Sequence, residues 1–111
     1  MAIKANIVID QGTDFEALID IQTPDELPFD LRDWTPKSQM RKTYASSTAY
    51  DFDVTDNGIF GQIAMKMSKD VTADLEPGRY LYDIEITSIS GGTTQRVVEG
   101  IVTVTPGITR T

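Results

Sequence analysis

Neither cysteine nor histidine occurs anywhere in the 111 residues. Without cysteine there is no disulfide framework and no thiolate metal site, so stability must come from packing and backbone pairing. Without histidine the chain lacks the side chain that titrates nearest neutrality. Most acid–base pairs, the nucleophilic triads and the usual zinc sites go with it. Long apolar runs are missing too, and none approaches the roughly eighteen residues that a membrane span needs. The opening MAIKANIVIDQG has no basic start, continuous apolar core or small-residue cleavage site. A chain of this kind is expected to stay inside the cell that makes it. Positive charge is scarce: ten Lys and Arg stand against seventeen Asp and Glu, a net charge of −7. That field repels nucleic acid and anionic membrane surfaces alike, so neither is expected as a partner.

What the chain does contain is ordinary globular stock, 40% hydrophobic and 24% charged residues, a balance that disordered chains do not show. Residues 1–111 are one domain's worth of chain, able to withdraw roughly two-thirds of its unfolded surface from water. The acids are unevenly placed. Asp10, Asp14, Glu16, Asp20, Asp25, Glu26, Asp30 and Asp33 face only Lys4 and Arg32 in the first 33 residues, and Lys37, Arg41 and Lys42 follow directly. This asymmetry reads as a solvated surface, or as an acidic patch that meets a basic patch on a neighbouring subunit.

Nearly every apolar residue falls into the period-two alternation of a strand buried on one face. IKANIVID puts Ile3, Ala5, Ile7 and Ile9 on one side, and TDFEALIDI turns Phe15, Ala17, Ile19 and Ile21 inward. TPDELPFD, with two prolines and three acids, reads as a loop. SQMRKTY is a weaker strand whose one good core candidate is Met40, and YDFDV sets Tyr50, Phe52 and Val54 against Asp51 and Asp53. Asp56-Asn57-Gly58 then signals a hairpin, from which FGQIAMKM returns with Ile63, Met65 and Met67 on one face. SKDVTADLEPG is the helical candidate, one or two turns that Ser68 can cap and Pro77-Gly78 stops. RYLYDIEIT and TQRVVEGIVTV close the chain as a pair joined through Ser90-Gly91-Gly92. About seven short strands with one short helical turn and two long connections predict an all-β fold, an immunoglobulin-like Greek-key β-sandwich over residues 1–111. A small barrel or two unrelated hairpins are the alternatives.

EPGRYLY carries a finer expectation. In immunoglobulin-type sandwiches a tyrosine just beyond a glycine-containing corner bonds back to the corner's backbone, with a buried residue two positions on. Gly78, Tyr80 and Tyr82 match that spacing, and Trp34 would supply the large core aromatic. The plain alternative is that Tyr80 is a half-buried strand tyrosine.

Candidate chemistry is thin. Asp51/Asp53 and Asp83/Glu85 project from outer strand faces, where water leaves nothing to raise a carboxyl pKa into a working range. No glycine motif cradles a phosphate. The expectation is no enzyme, no catalytic residues and no cofactor. Asp53, Thr55, Asn57 and Gly58 have the spacing that opens a calcium loop, but position twelve is Ala64 where a bidentate glutamate is required, so no metal ligands are assigned. More informative are apolar residues of the wrong phase. Val98, Val102 and Val104 share one face of the last strand, leaving Val97 and Ile101 on the other, and Val8, Leu18 and Leu81 also fall on outer faces. If they converge they form a patch that a subunit contact would cover.

Several of these stretches together resemble a group of small tailed-phage virion proteins and the immunoglobulin-like N-terminal domain of phage baseplate upper proteins. They are IVIDQGTDFE, FDLRDWTPKSQMRKTY, LEPGRYLYDIEI and RVVEGIVTVTPGITR, with Leu31 to Trp34, Met40-Arg41-Lys42, Pro77 to Tyr80 and Glu99-Gly100 carrying most of the match. The resemblance implies a bacteriophage structural protein of the tail or baseplate, made in the host cytoplasm and built into the virion. It would act by sheet-face or edge-strand docking on copies of itself or on other virion proteins. The interaction residues it implies are Val97, Ile101, Glu99, Arg96, Lys37, Arg41 and Lys42. The resemblance covers the N-terminal domain of the longer baseplate proteins and not their downstream region. A capsid decoration protein is one alternative. A host-surface module for carbohydrate or calcium is another, with Tyr44 or Phe60 as the ring on which a sugar stacks.

Overall fold

A computed structural model describes residues 3–23 and 25–108. Pro24 of the proline loop and the closing Thr109-Arg110 of the last resembling stretch lie outside the described residues. The strands are β1 (Ile3–Lys4), β2 (Ile7–Asp10), β3 (Phe15–Asp20), β4 (Trp34–Arg41), β5 (Tyr50–Asp56), β6 (Gln62–Met67), β7 (Gly78–Ser88) and β8 (Thr94–Thr105). A one-turn helix α1 (Lys69–Thr72) bridges β6 and β7, and a 3-10 turn (Gly58–Phe60) lies between β5 and β6.

The strands follow the order β1-β8-β7-β4-β5-β6-β3, with β2 also lying along β8. Pairing is antiparallel except where β1 and β2 run parallel to β8. β5 decides the architecture. Its first residues pair with β4 (Phe52 opposite Ser38), while the rest pair with β6 (Asp53 opposite Lys66). One strand thus changes partner midway, and the sheet curls into two facing layers: β1/β2, β8, β7, β4 on one side and β6, β3 on the other. This is the immunoglobulin-like Greek-key sandwich that the alternation predicts.

Phe52, Met65 and Ile84 are buried in one cluster and Phe15 packs against it. Phe15 lies 5.9 Å from Phe52, and Phe52 lies 6.2 Å edge-on from Tyr82, so aromatic contacts link the layers. Tyr80, Tyr82, Ile84 and Ile86 are all buried along β7, in the phase that the sequence sets.

Three expectations change. The first strand divides at Ala5-Asn6. The Ala5 amide donates to the Glu99 carbonyl, and the Asn6 side chain accepts from the Ile101 amide where a backbone carbonyl would otherwise serve. Ile3, expected inside, is exposed, whereas Ile9 is buried. Second, β4 begins at Trp34 rather than Ser38, taking in Pro36; the stretch paired on both sides is Ser38–Met40, beyond the proline. Third, Trp34 is not the central core aromatic. It is half-buried at the start of β4 and packs edge-on against Phe29 at 5.8 Å, while Met40, Phe52 and Tyr82 fill the middle.

Candidate functional site

The tyrosine corner is formed. The Tyr80 hydroxyl donates to the Glu76 carbonyl at 2.8 Å, four residues back, and Gly78 takes φ 137° at the head of β7, a backbone conformation that side chains disfavour. Burial, followed by the neighbouring Tyr50 and Glu76, raises the Tyr80 pKa. Tyr82 sits two residues on, buried, and its hydroxyl donates to the Ala5 carbonyl; burial pushes that phenol up to about 12. These two tyrosines fasten the corner and the N-terminal segment respectively. Lys42 belongs with the corner as well. Its ammonium lies 4.6 Å from the Tyr80 ring centroid, so it faces away from the other nominated interaction residues.

Those others, Val97 apart, gather on the outer face of β4, β7 and β8 in three rows set by register. Lys37 lies opposite Glu85 and Glu85 opposite Arg96; Gln39 opposite Asp83 and Asp83 opposite Glu99; Arg41 opposite Leu81 and Leu81 opposite Ile101. Residues 96 and 99 differ in parity, so a regular strand would send them to opposite faces. A register shift at Ile84/Glu85 resolves this, because Val98 pairs with Ile84 and Arg96 with Glu85, leaving Val97 as the extra residue of a β-bulge. The consequence is a correction: Val97 is buried rather than part of an exposed patch. The same bulge puts Arg96 beside Glu99. Arg96 binds Asp83 at 3.0 Å and Glu99 at 3.3 Å, and the Asp83 charge foremost raises the guanidinium pKa above its usual value.

Between the second and third rows the face dips into a half-open groove of about 600 Å³. Leu81 and Ile101 give it an apolar floor, Arg41, Glu99 and Arg96 a charged rim, and Lys4 with Asn6 close it at the N-terminal edge. Tyr44, 81% exposed, stands beside it on the connection after β4. Gly100 lets the N-terminal segment reach this edge, since a Cβ there would collide with the Ala5 carbonyl and come within 3.0 Å of the Tyr82 ring. The other outward apolar residues do not join in: Val8 lies on β2 and Leu18 on the opposite layer.

A second feature, of which sequence reasoning singles out Phe60 alone, lies at the other end of β4. The 21–33 connection, the β5–β6 turn and the β7–β8 hairpin meet at the end of the sandwich where β4 starts. The Leu31 amide donates to Gly58, the Ile21 amide to Gly61, and the Ile89 amide to Asp33. Gly61 is pressed so closely between Ile21 and Phe29 that a Cβ would lie 2.6 Å from the Ile21 carbonyl. On these tied loops Leu27, Ile59, Phe60 and Ile89 are each more than half exposed. Loop residues have no periodicity to betray them. The nominated calcium residues lie nearby, Asp53 and Thr55 on β5 opposite Lys66 and Ala64, and Gly58 in the 3-10 turn. No group of three or more acidic side chains is placed to hold a metal ion among the described residues. Likewise, no helix among them is long and apolar enough to cross a membrane.

No protein-family model matches the sequence, and no curated protein matches it. Among solved structures, the chain is similar to the NK cell receptor Nkp44, described as a triggering partner in natural cytotoxicity. The two share 15% identity at a TM-score of 0.47, over 95% of this chain and 99% of the receptor's. It is also similar to a family 123 glycoside hydrolase from Clostridium perfringens, with 11% identity and a TM-score of 0.44 over 96% of this chain. The match spans 23% of that hydrolase's length.

Proposed function

We propose that this chain is a non-enzymatic structural module of a phage virion, associated with the tail or baseplate, that docks on protein neighbours through the outer face of β4, β7 and β8. One observation carries the docking surface. Arg41, Arg96, Glu99 and Ile101, nominated from sequence alone, line a single groove, and Lys37 lies in the adjoining row. An apolar floor inside a charged rim is the anatomy of a protein interface. The Arg96 bridge to Asp83 and Glu99 holds the rim in place before a partner arrives, which lowers the ordering cost of binding. The virion setting rests on the resemblance of LEPGRYLYDIEI and its companion stretches. In that setting the partners are other virion proteins or further copies of the chain, with neither nucleic acid nor membrane involved.

The test is lysine reactivity in purified particles compared with the isolated protein. Lys37 and Lys4, both on the exposed face, should become protected in the particle while Lys69 on α1 stays reactive. Particles that lack the chain by mass spectrometry, or in which Lys37 and Lys4 react as freely as in the isolated protein, would sink the proposal. A second reading, a saccharide-binding face, has Tyr44 in its favour, an exposed ring beside the groove on which a sugar could stack. Binding of host glycans that is lost in Tyr44→Ala would favour it.

A further inference from the structure

We infer that the groove's occupant is the loop end of a second copy of this chain, the copies joined head to tail; this rests on the docking surface proposed above and names its partner. The loop end presents Leu27, Ile59, Phe60 and Ile89 to water, and cross-loop hydrogen bonds hold the three connections that carry them. Exposed aliphatic and aromatic side chains concentrated at one end of a small domain are a contact surface in search of cover. Around them stand Asp25, Glu26, Asp30, Asp33 and Asp56, all exposed. The one cation nearby, Arg32, is already bound to Asp30 at 2.7 Å. Five acids and one base leave the rim at 1 − 5 = −4.

The groove carries the complement. Its floor is apolar, at Leu81 and Ile101. On its face Lys4, Lys37, Arg41 and Arg96 stand against Asp83, Glu85 and Glu99, 4 − 3 = +1, and Lys4, Lys37 and Arg41 are in no ion pair among the described residues. Charge therefore opposes pairing of loop end with loop end and favours loop end with groove. Placement agrees. β4 starts at Trp34 beside the loop end and finishes at Arg41 in the groove, a run of roughly 23 Å at strand rise. The two surfaces thus lie toward opposite ends of one strand, where one chain can use both at once. Such a contact is heterologous, so it propagates into a ring or a filament instead of closing as a symmetric dimer.

The test is molar mass by light scattering on size-exclusion chromatography, over a concentration series reaching the millimolar range. The native chain should grow beyond a monomer with concentration. Phe60→Asp at the loop end and Ile101→Asp in the groove should each weaken association at least about thirtyfold, the scale of an interface hot spot. Both residues are exposed, so circular dichroism should show native melting; if Ile101→Asp melts early, Arg41→Glu takes its place. The decisive sample is the mixture. Phe60→Asp keeps its groove and Ile101→Asp keeps its loop end, so together they should form a one-to-one dimer and stop there. A native chain that stays monomeric throughout overturns the inference, as does assembly that persists in Phe60→Asp or a mixture that yields no dimer. Protection of Lys37 in particles would survive those failures, and would then assign the groove to a different virion protein.

Discussion

Tyr80 and Tyr82 show how two identical side chains on one buried face are put to different uses. Tyr80 reaches four residues back to the Glu76 carbonyl, whereas Tyr82 reaches 77 residues back to Ala5. Removing the first hydroxyl in Tyr80→Phe should lower stability by about 1 kcal/mol, the net worth of one such bond, and the melting temperature by roughly 4 °C. The fold should persist, and a melting temperature equal to the native one would remove the corner's stabilising role. Tyr82 makes its prediction through pH. An unfolded tyrosine ionises near 10, whereas burial holds the Tyr82 phenol up to about 12. Between those values the unfolded chain has lost the proton and the folded one retains it. The Tyr82 contribution is therefore complete below about pH 10 and is lost as pH rises toward 12. Denaturant midpoints measured across that interval should fall more steeply for the native chain than for Tyr82→Phe; parallel slopes would contradict this.

At the scale of elements, helix α1 is held from outside itself. The residue at its N-terminal boundary, Ser68, makes no side-chain capping bond. The Lys69 amide instead donates to the Asp14 carboxylate at 2.8 Å, and the Thr72 hydroxyl donates to the Thr13 carbonyl at 2.7 Å. The turn between β2 and β3 thus caps a helix some 55 residues away. Asp14→Ala should cost about 1 kcal/mol, the usual value of a lost cap, while Ser68→Ala should leave the denaturation midpoint in place. The reverse ranking would refute the assignment. The N-terminal segment depends in the same way on a distant glycine. Gly100→Ala would drive a methyl group into the Ala5 carbonyl and the Tyr82 ring, with an overpacking cost of about 2 kcal/mol. Amide exchange at Ala5, whose N–H donates to Glu99 at 3.0 Å, should accelerate in that variant ahead of exchange in β7. Unchanged protection at Ala5 would mean that Gly100 is not what seats the segment.

The whole molecule closes one sheet edge with the parallel strands β1 and β2 and leaves the other at β3, which has no strand on its far side among the described residues. An open edge is a template for unwanted pairing. Here Glu16 and Asp20 are exposed on that strand, and antiparallel docking of two β3 edges would bring these like charges together. Replacing both, Glu16→Val with Asp20→Val, turns FEALID into an uncharged run of high strand propensity. Light scattering should then rise on incubation at concentrations where the native chain stays clear. A double variant as soluble as the native chain would show that acidity does not guard the edge. The same net −7 restricts association to places where the acid is locally offset, and the groove face is such a place.

The sequence by itself determined the fold class and most of the core. Alternation is a local property, and a period of two fixes which side chains share a face before any partner strand is known. Phe52, Met65, Ile84 and the corner Tyr80 were legible for that reason. The corner was legible also because its bond spans only four residues. Tertiary structure decided the rest. Val97-Val98 is an apolar doublet that fits either phase, and only pairing with β7 shows that the bulge turns both inward and brings Arg96 next to Glu99. β5 alternates evenly throughout, so nothing along it marks Phe52–Asp53 as the point where it leaves β4 for β6. The loop end has no period at all. Its apolar residues come together through hydrogen bonds between segments more than twenty residues apart, such as Leu31 to Gly58, and contacts of that range exist only once the chain has folded.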